Sequence, residues 1–182
     1  MNEIKITPVN FAMQSGILLG VLGVAKLILL TYSFDFVLIG LLYLLAALLY
    51  HFVVFHFAKK FKYTALEGDI SFFQAWNISI LIYFFGSILT GAIEFAFYKF
   101  INPSFLAGYI PKTIQAVQQF ATQVQDPSTK EILNEIAVNI SKEGIPTPIN
   151  MVMAHIQNTI FSGIFISIII SAILSRKKTS NK

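Results

Sequence analysis

The stretch VLIGLLYLLAALLYHFVVFHF, residues 37–57, contains no Asp, Glu, Lys or Arg. A helix that crosses the hydrocarbon of a bilayer needs about 20 mostly apolar residues, and this run supplies them without interruption. Three further segments qualify, so that spans are expected near 9–31, 36–57, 71–100 and 149–174. The third and fourth are long enough to tilt or to extend past the lipid. The expected fold is all-α: a polytopic membrane protein in which residues 1–182 form one membrane domain with four transmembrane helices.

Composition agrees with this reading. Of 182 residues, 55% are hydrophobic and only 12% charged, where soluble domains sit near a quarter charged. The 18 phenylalanines and 7 tyrosines suit helices that fill lipid and anchor at its interfaces. Cysteine is absent, which removes disulfides, thiolate metal sites and a cysteine nucleophile. The net charge of +4 does not imply nucleic acid, because the cations flank apolar spans and form no continuous stripe.

Those cations set the orientation. With four spans, Lys5, the group Lys59, Lys60 and Lys62, and the tail Arg176, Lys177, Lys178 and Lys182 fall on one side. Lys99, Lys112, Lys130 and Lys142 are dispersed in or beside a long loop on the other. Short basic segments stay cytoplasmic, so both termini are expected inside. The first span follows a stretch with a single lysine, and no small-x-small cleavage site comes after it. It reads as a retained helix and not a signal peptide.

The connections carry their own signals. In EGDISFFQAW, residues 67–76, Gly68 suits a turn, Ser71 and Gln74 have capping-box spacing, and Trp76 is placed near the headgroups. Between the third and fourth spans, Ile114, Val117, Ala121 and Val124 recur at helical spacing, as do Ile132, Ile136 and Ile140. QDPST separates the two runs, with Ser128 and Glu131 as a second capping box, and Gly144, Pro146 and Pro148 close the second helix. An extracytoplasmic amphipathic hairpin over 104–143 is expected. Its apolar faces either cover each other and the mouth of the bundle or serve as a lid or docking surface for a partner.

Lipid gives helices no hydrophobic reason to associate, so close contact relies on small residues and polar bonds. Gly16 and Gly20 form a GxxxG in the first span, with Gly23 nearby. The third carries Gly86, Ser87, Thr90 and Gly91, and the fourth Gly163, Ser167, Ser171 and Ser175 at spacing four. The second span is rich in large residues and is the expected lipid-facing wall.

Against this background, ILTGAIEFAFYKFINP, residues 88–103, puts an acid, Glu94, inside the third span. At 1.5 Å per residue it lies roughly 9–12 Å below the outer end. Lys26 in the first span and His155 in the fourth fall at similar depth. Helical phase turns Glu94 to the side of Ser87, Thr90 and Gly91, sets Lys26 near Gly23, and aligns His155 with Thr159 and Ser162. An ionised group at mid-membrane costs about 2.5–3.5 kcal/mol on insertion scales, so pairing is the expected remedy. The candidate site is therefore a Lys26–Glu94 ion pair with His155 as neighbour and Asn158 as an amide partner. It can act as a clamp fixing helix register, as a proton or ion relay, or as a site for an anionic headgroup; Lys26 can alternatively snorkel outward. His51 and His56, five residues apart and so out of phase, read as interfacial side chains and not as a metal pair.

No phosphate loop, dinucleotide fingerprint, HExxH or nucleophile elbow occurs in the sequence. No catalytic residue, metal ligand or cofactor is assigned. The Gly-rich first span, KKFKYTALEGDISFFQAW leading into the third (residues 59–76), YKFINPSFL leaving it (98–106) and a fourth span with a basic tail together resemble the bacterial family known as domain of unknown function 4199. The resemblance covers nearly the whole chain. It implies a small inner-membrane protein with four spans, brings no catalytic residue, and suggests an accessory role beside membrane glycosyltransferases acting on polyprenyl phosphates.

Two functions lead on these grounds, with a lipid-processing enzyme working through the outer polar cluster as a third. One is a non-catalytic accessory or assembly subunit whose partners are the bilayer and another membrane protein or a second copy. The other is a small oligomeric transporter or proton-coupled permease using Lys26, Glu94 and His155. If Lys26 is the partner of Glu94, Glu94→Gln loses stability in detergent and Lys26→Met restores it. If Lys26 snorkels, Glu94→Gln changes nothing.

Overall fold

The computed structural model describes residues 7–176; Lys5, Lys177, Lys178 and Lys182, used above for orientation, lie outside them. Six α-helices follow in order: α1 Pro8–Ser33, α2 Val37–Ala65, α3 Phe72–Ala96, α4 Phe105–Gln123, α5 Pro127–Glu143 and α6 Pro148–Leu174. A π-helical turn, Phe97–Ile101, continues α3. Among the described residues, four helices are long and apolar enough to cross a membrane: Pro8–Ser33, Val37–Ala65, Phe72–Ile101 and Pro148–Leu174. The second runs further than expected, because its last turns carry Lys59, Lys60 and Lys62 on a continuous helix.

Local signals set these boundaries. Pro8 opens α1 at a position where its missing N–H costs nothing, and Thr7 Oγ1 accepts from the Asn10 amide at 3.3 Å. Gly68, at φ +92°, makes the turn before α3. There the reciprocal box forms as the spacing predicts: the Ser71 amide donates to Gln74 Oε1 at 2.9 Å, and the Gln74 amide to Ser71 Oγ at 3.3 Å. Trp76 turns sideways, its indole N–H donating to the Ile164 carbonyl of α6 at 3.4 Å.

The chain divides into two compact units, Met1–Glu94 with Met153–Lys182, and Phe95–Val152. The first is a bundle of α1, α2, α3 and α6. Phe11 of α1 meets Phe61 of α2 with ring centroids 5.2 Å apart, and Lys62 Nζ donates to the Leu174 carbonyl at 2.7 Å. These contacts gather one end of the bundle, with α1 and α3 running one way and α2 and α6 the other. Leu19, Val54, Ile78, Ile82 and Tyr83 fill the centre.

Glycine sets the spacing of α1 and α3. A Cβ on Gly16 would lie 2.6 Å from Phe85 Cβ and 3.0 Å from the Gly86 backbone nitrogen, and one on Gly86 would lie 2.8 Å from Leu19 Cδ2. Gly20 sits against Leu89, and Gly23 against Thr90. Thr90 Oγ1 lies 2.9 Å from the Gly86 carbonyl and 3.4 Å from that of Gly20 across the interface. Gly91 is buried on the same helix. On α6, Gly163 packs on the ring of Tyr83, where a Cβ would meet Cδ2 at 2.7 Å, and Ser167 and Ser171 are fully buried. α2 differs: Leu38, Leu41, Leu44, Leu48 and Phe52 are exposed, and its buried line is Ala46, Tyr50, Val54, Ala58 and Phe61.

The second unit contains the helical hairpin of α4 and α5. Ala121 and Ala137 are its buried small residues, with Ile114, Val117 and Val124 half-buried on the α4 side. On α5 the covered line is Leu133, Ala137 and Ile140, not Ile132, Ile136 and Ile140; Ile132 and Ile136 are 56% and 42% exposed. The cap also moves. Asp126, not Ser128, is the N-cap, its carboxylate accepting from the Thr129 amide at 2.8 Å, with Pro127 as the first helical residue. A carboxylate is the stronger acceptor, and the proline ring presets the helical φ. Gly144 ends α5 at φ +70°. Pro148 starts α6 instead of closing α5, with Thr147 Oγ1 accepting from the Asn150 amide at 3.3 Å.

Two outcomes follow. Gly16→Ala forces the α1 and α3 backbones apart and should lower stability in detergent by about 1–3 kcal/mol, the usual cost of overpacking; Gly108→Ala, with nothing within 4 Å, should not. Thermal unfolding measures both. The Asp126 carboxyl is held below its ordinary value, chiefly by the Thr129 side-chain hydrogen bond and then by the Thr129 backbone. A depressed carboxyl contributes stability above its unfolded value of about 3.9 and loses it as pH falls through the lower folded value. Hydrogen exchange at the Thr129 amide should therefore gain an acid-induced opening that Asp126→Asn lacks.

Candidate functional site

Lys26, Glu94 and His155 stand on three different helices of the bundle. Each is seven residues from a helix end: Lys26 from Ser33, Glu94 from Ile101 and His155 from Pro148. The structure brings Glu94 and His155 together. Glu94 is 5% exposed, and its Oε1 lies 3.3 Å from His155 Nδ1. The other imidazole nitrogen, Nε2, is 3.4 Å from Thr159 Oγ1 one turn along α6. An ionised carboxylate oxygen only accepts, so with Glu94 ionised the proton of a neutral imidazole belongs on Nδ1, and Nε2 is free to accept from the Thr159 hydroxyl. Glu94 Oε2 is buried without a partner among the described residues.

Lys26 takes a different neighbour from the one expected. No Lys26–Glu94 ion pair forms among the described residues; the ammonium lies over the face of Tyr50, 4.7 Å from its centroid, with Tyr43 at 6.0 Å. The ring quadrupole attracts a cation, by about 2 kcal/mol or more when both are desolvated. Lys26 and Glu94 remain close enough for their charges to interact. Asn158 is also placed otherwise: it is exposed, and it is its backbone carbonyl that is engaged, by Ser162 Oγ at 2.8 Å.

The cluster extends to residues the sequence reading did not collect. Tyr50 is 4% exposed and its ring is 6.1 Å from that of Tyr83. The Tyr83 hydroxyl and His51 Nδ1 share a hydrogen bond of 2.8 Å. His51, expected at the interface, is thus half-buried near the middle of α2, while His56 is exposed. The 140° between them puts one inside and one out. The signal that finds Tyr50 is the row Ala46, Tyr50, Val54, Ala58, the spacing-four line in a span otherwise filled by leucine and phenylalanine. Tyr83 has no such signal in a helix this rich in aromatics.

Chemically, the bundle interior holds an acid, two imidazoles, an ammonium and two phenols in contact pairs. These groups can store or pass protons. No group of three or more His, Cys, Asp or Glu able to hold a metal occurs among the described residues.

Four helices long and apolar enough to span, with Lys26, Glu94 and His155 turned into the bundle, point to a multi-pass helical membrane protein. The chain belongs to the family described as Protein of unknown function (DUF4199), whose model matches residues 14–176. No curated protein and no solved structure matches it.

The geometry makes the partners of Glu94 testable. In a double-mutant cycle on detergent stability, Glu94→Gln with His155→Phe should show a coupling within about 0.5–3 kcal/mol, the range for residues in contact. Glu94→Gln with Lys26→Met should show a smaller one.

Proposed function

We propose that this protein is a non-catalytic multi-pass subunit of the inner membrane, with both termini cytoplasmic and its hairpin outside. On this reading the hairpin binds a membrane partner and the bundle anchors it. The observation that carries the reading is the state of the hairpin's apolar residues: Ile132 and Ile136, one turn apart on one face of α5, are 56% and 42% exposed, and Phe120 of α4 is 56% exposed. A two-helix unit that covered its own apolar faces would not leave these open. Exposed apolar residues rimmed by polar ones suit a protein interface, and Lys130, Glu131 and Glu135 supply such a rim.

A second reading draws on a different observation. Tyr50 Oη and Glu94 Oε2 are both buried and have no partner among the described residues, within a cluster that descends from Glu94–His155 to His51–Tyr83. Buried polar atoms are normally satisfied, and ionisable groups inside a membrane commonly mark proton or ion paths. A small proton-coupled permease is therefore the alternative.

Native mass spectrometry of the tagged protein, gently extracted from its own membranes, separates the two. The subunit reading expects a second protein at fixed stoichiometry, lost in Ile132→Ser/Ile136→Ser while the bundle stays folded by circular dichroism. A proton-coupled role expects unchanged assembly and loss of proton uptake in Glu94→Gln proteoliposomes.

A further inference from the structure

The side of α6 away from the bundle exposes carboxamides deeper than the outer faces of the other three spans, where Gln14 of α1 and Asn77 of α3 lie only six and five residues from their helix starts. Gly163, Ser167 and Ser171 turn inward. Ala154, Gln157, Asn158, Phe161, Ser162 and Phe165 are all exposed. Gln157 and Asn158 lie nine and ten residues from Pro148 on a 27-residue helix, about 5 Å from its midpoint at 1.5 Å per residue. Neither side-chain amide has a hydrogen-bond partner among the described residues, and neither is long enough to return to the headgroups. Counted from the same end of the bundle, the corresponding depth of the other helices exposes only apolar residues: Val21 and Ala25 on α1, Leu44, Leu45 and Leu48 on α2, and Ala92 and Ile93 on α3.

A carboxamide in hydrocarbon without a partner costs several kcal/mol. Ser162 does not relieve it, because its hydroxyl bonds to the backbone carbonyls of Asn158 at 2.8 Å and Thr159 at 3.2 Å and accepts from neither side-chain amide among the described residues. We propose that this face of α6 is the interface of a homodimer, in which Gln157 and Asn158 of one copy hydrogen-bond to those of a second. Three features favour a second copy over another protein. Carboxamides carry both donors and acceptors, so the pair is complementary to itself. A two-fold axis along the bilayer normal brings each residue to its own counterpart at identical depth, which is where a buried amide needs another. The small residues Ala154 and Ser162 let the two backbones approach, and Phe161 and Phe165, packed edge to face with centroids 5.1 Å apart, give a fixed apolar border. The inference does not rest on the hairpin's partner.

The chain has no cysteine, so single cysteines introduced into the full-length protein report without background. In liposomes of bacterial lipid extract, Ala154→Cys, Phe161→Cys and Phe165→Cys should cross-link to dimers on mild oxidation. Leu41→Cys and Leu45→Cys, exposed on α2, should not. Single-molecule photobleaching of labelled protein at increasing lipid dilution should show two-step traces. Gln157→Leu/Asn158→Leu should weaken the dimer roughly tenfold or more, the change expected from losing an interhelical amide bond, with helicity unchanged. Monomers at every dilution, cross-links confined to α2, cross-links only to another protein, or a double-leucine variant that dimerises like the native chain would each overturn the proposal.

Discussion

A carboxylate within the depth of the hydrocarbon has to be taken up by the protein, and Glu94 is taken up by His155. That requirement orders much of the bundle. It fixes the rotation of α3 about its axis and the register of α6 against it, because a shift of one residue in either helix separates the two side chains. The same rotation faces Thr90 and Gly91 inward and sends Ile88 and Ile93 to the outside. Removing one partner of a buried pair costs more than replacing both by apolar groups, so the pair constrains which arrangement forms more than it adds to net stability.

The glycines of α1 supply the complementary condition. With Gly16, Gly20 and Gly23 against Phe85, Gly86, Leu89 and Thr90, α1 lies close enough to α3 for the Thr90 hydroxyl to reach a carbonyl of the other helix. Lys26, one turn beyond Gly23, is then carried inward and held over Tyr50. Its long stem and the aromatic face solve the solvation of an ammonium in a way that charge counting does not anticipate. Tyr50 in turn stands beside Tyr83 and His51, so the polar interior is continued by phenols and an imidazole on two neighbouring helices.

The helices were legible because each span needs only length and apolarity, and their ends carry proline, glycine and capping side chains with local physics. The depth of Lys26, Glu94 and His155 was legible for the same reason: it follows from counting along straight helices. Their pairing was not, since it depends on which helices are neighbours and how each is rotated. Charge attraction suggested Lys26 for Glu94, whereas adjacency of α3 and α6 gives His155. Likewise Ile132 and Ile136 have the spacing of a packed face, but the close approach at Ala137 turns α5 so that Leu133 is covered and they are not. Asp126 was hidden because Ser128 with Glu131 offers an equally regular capping pattern two residues later.

The arrangement of the bundle depends on the partner of Glu94 in a bilayer. Solid-state NMR of the protein in lipid, with 15N in histidine and lysine side chains and 13C in the glutamate carboxyls, reads it directly, and only three histidines compete. A through-space correlation between His155 Nδ1 and the Glu94 carboxyl, lost in His155→Phe, is the predicted result. A correlation of that carboxyl with Lys26 Nζ and none with His155 would contradict it.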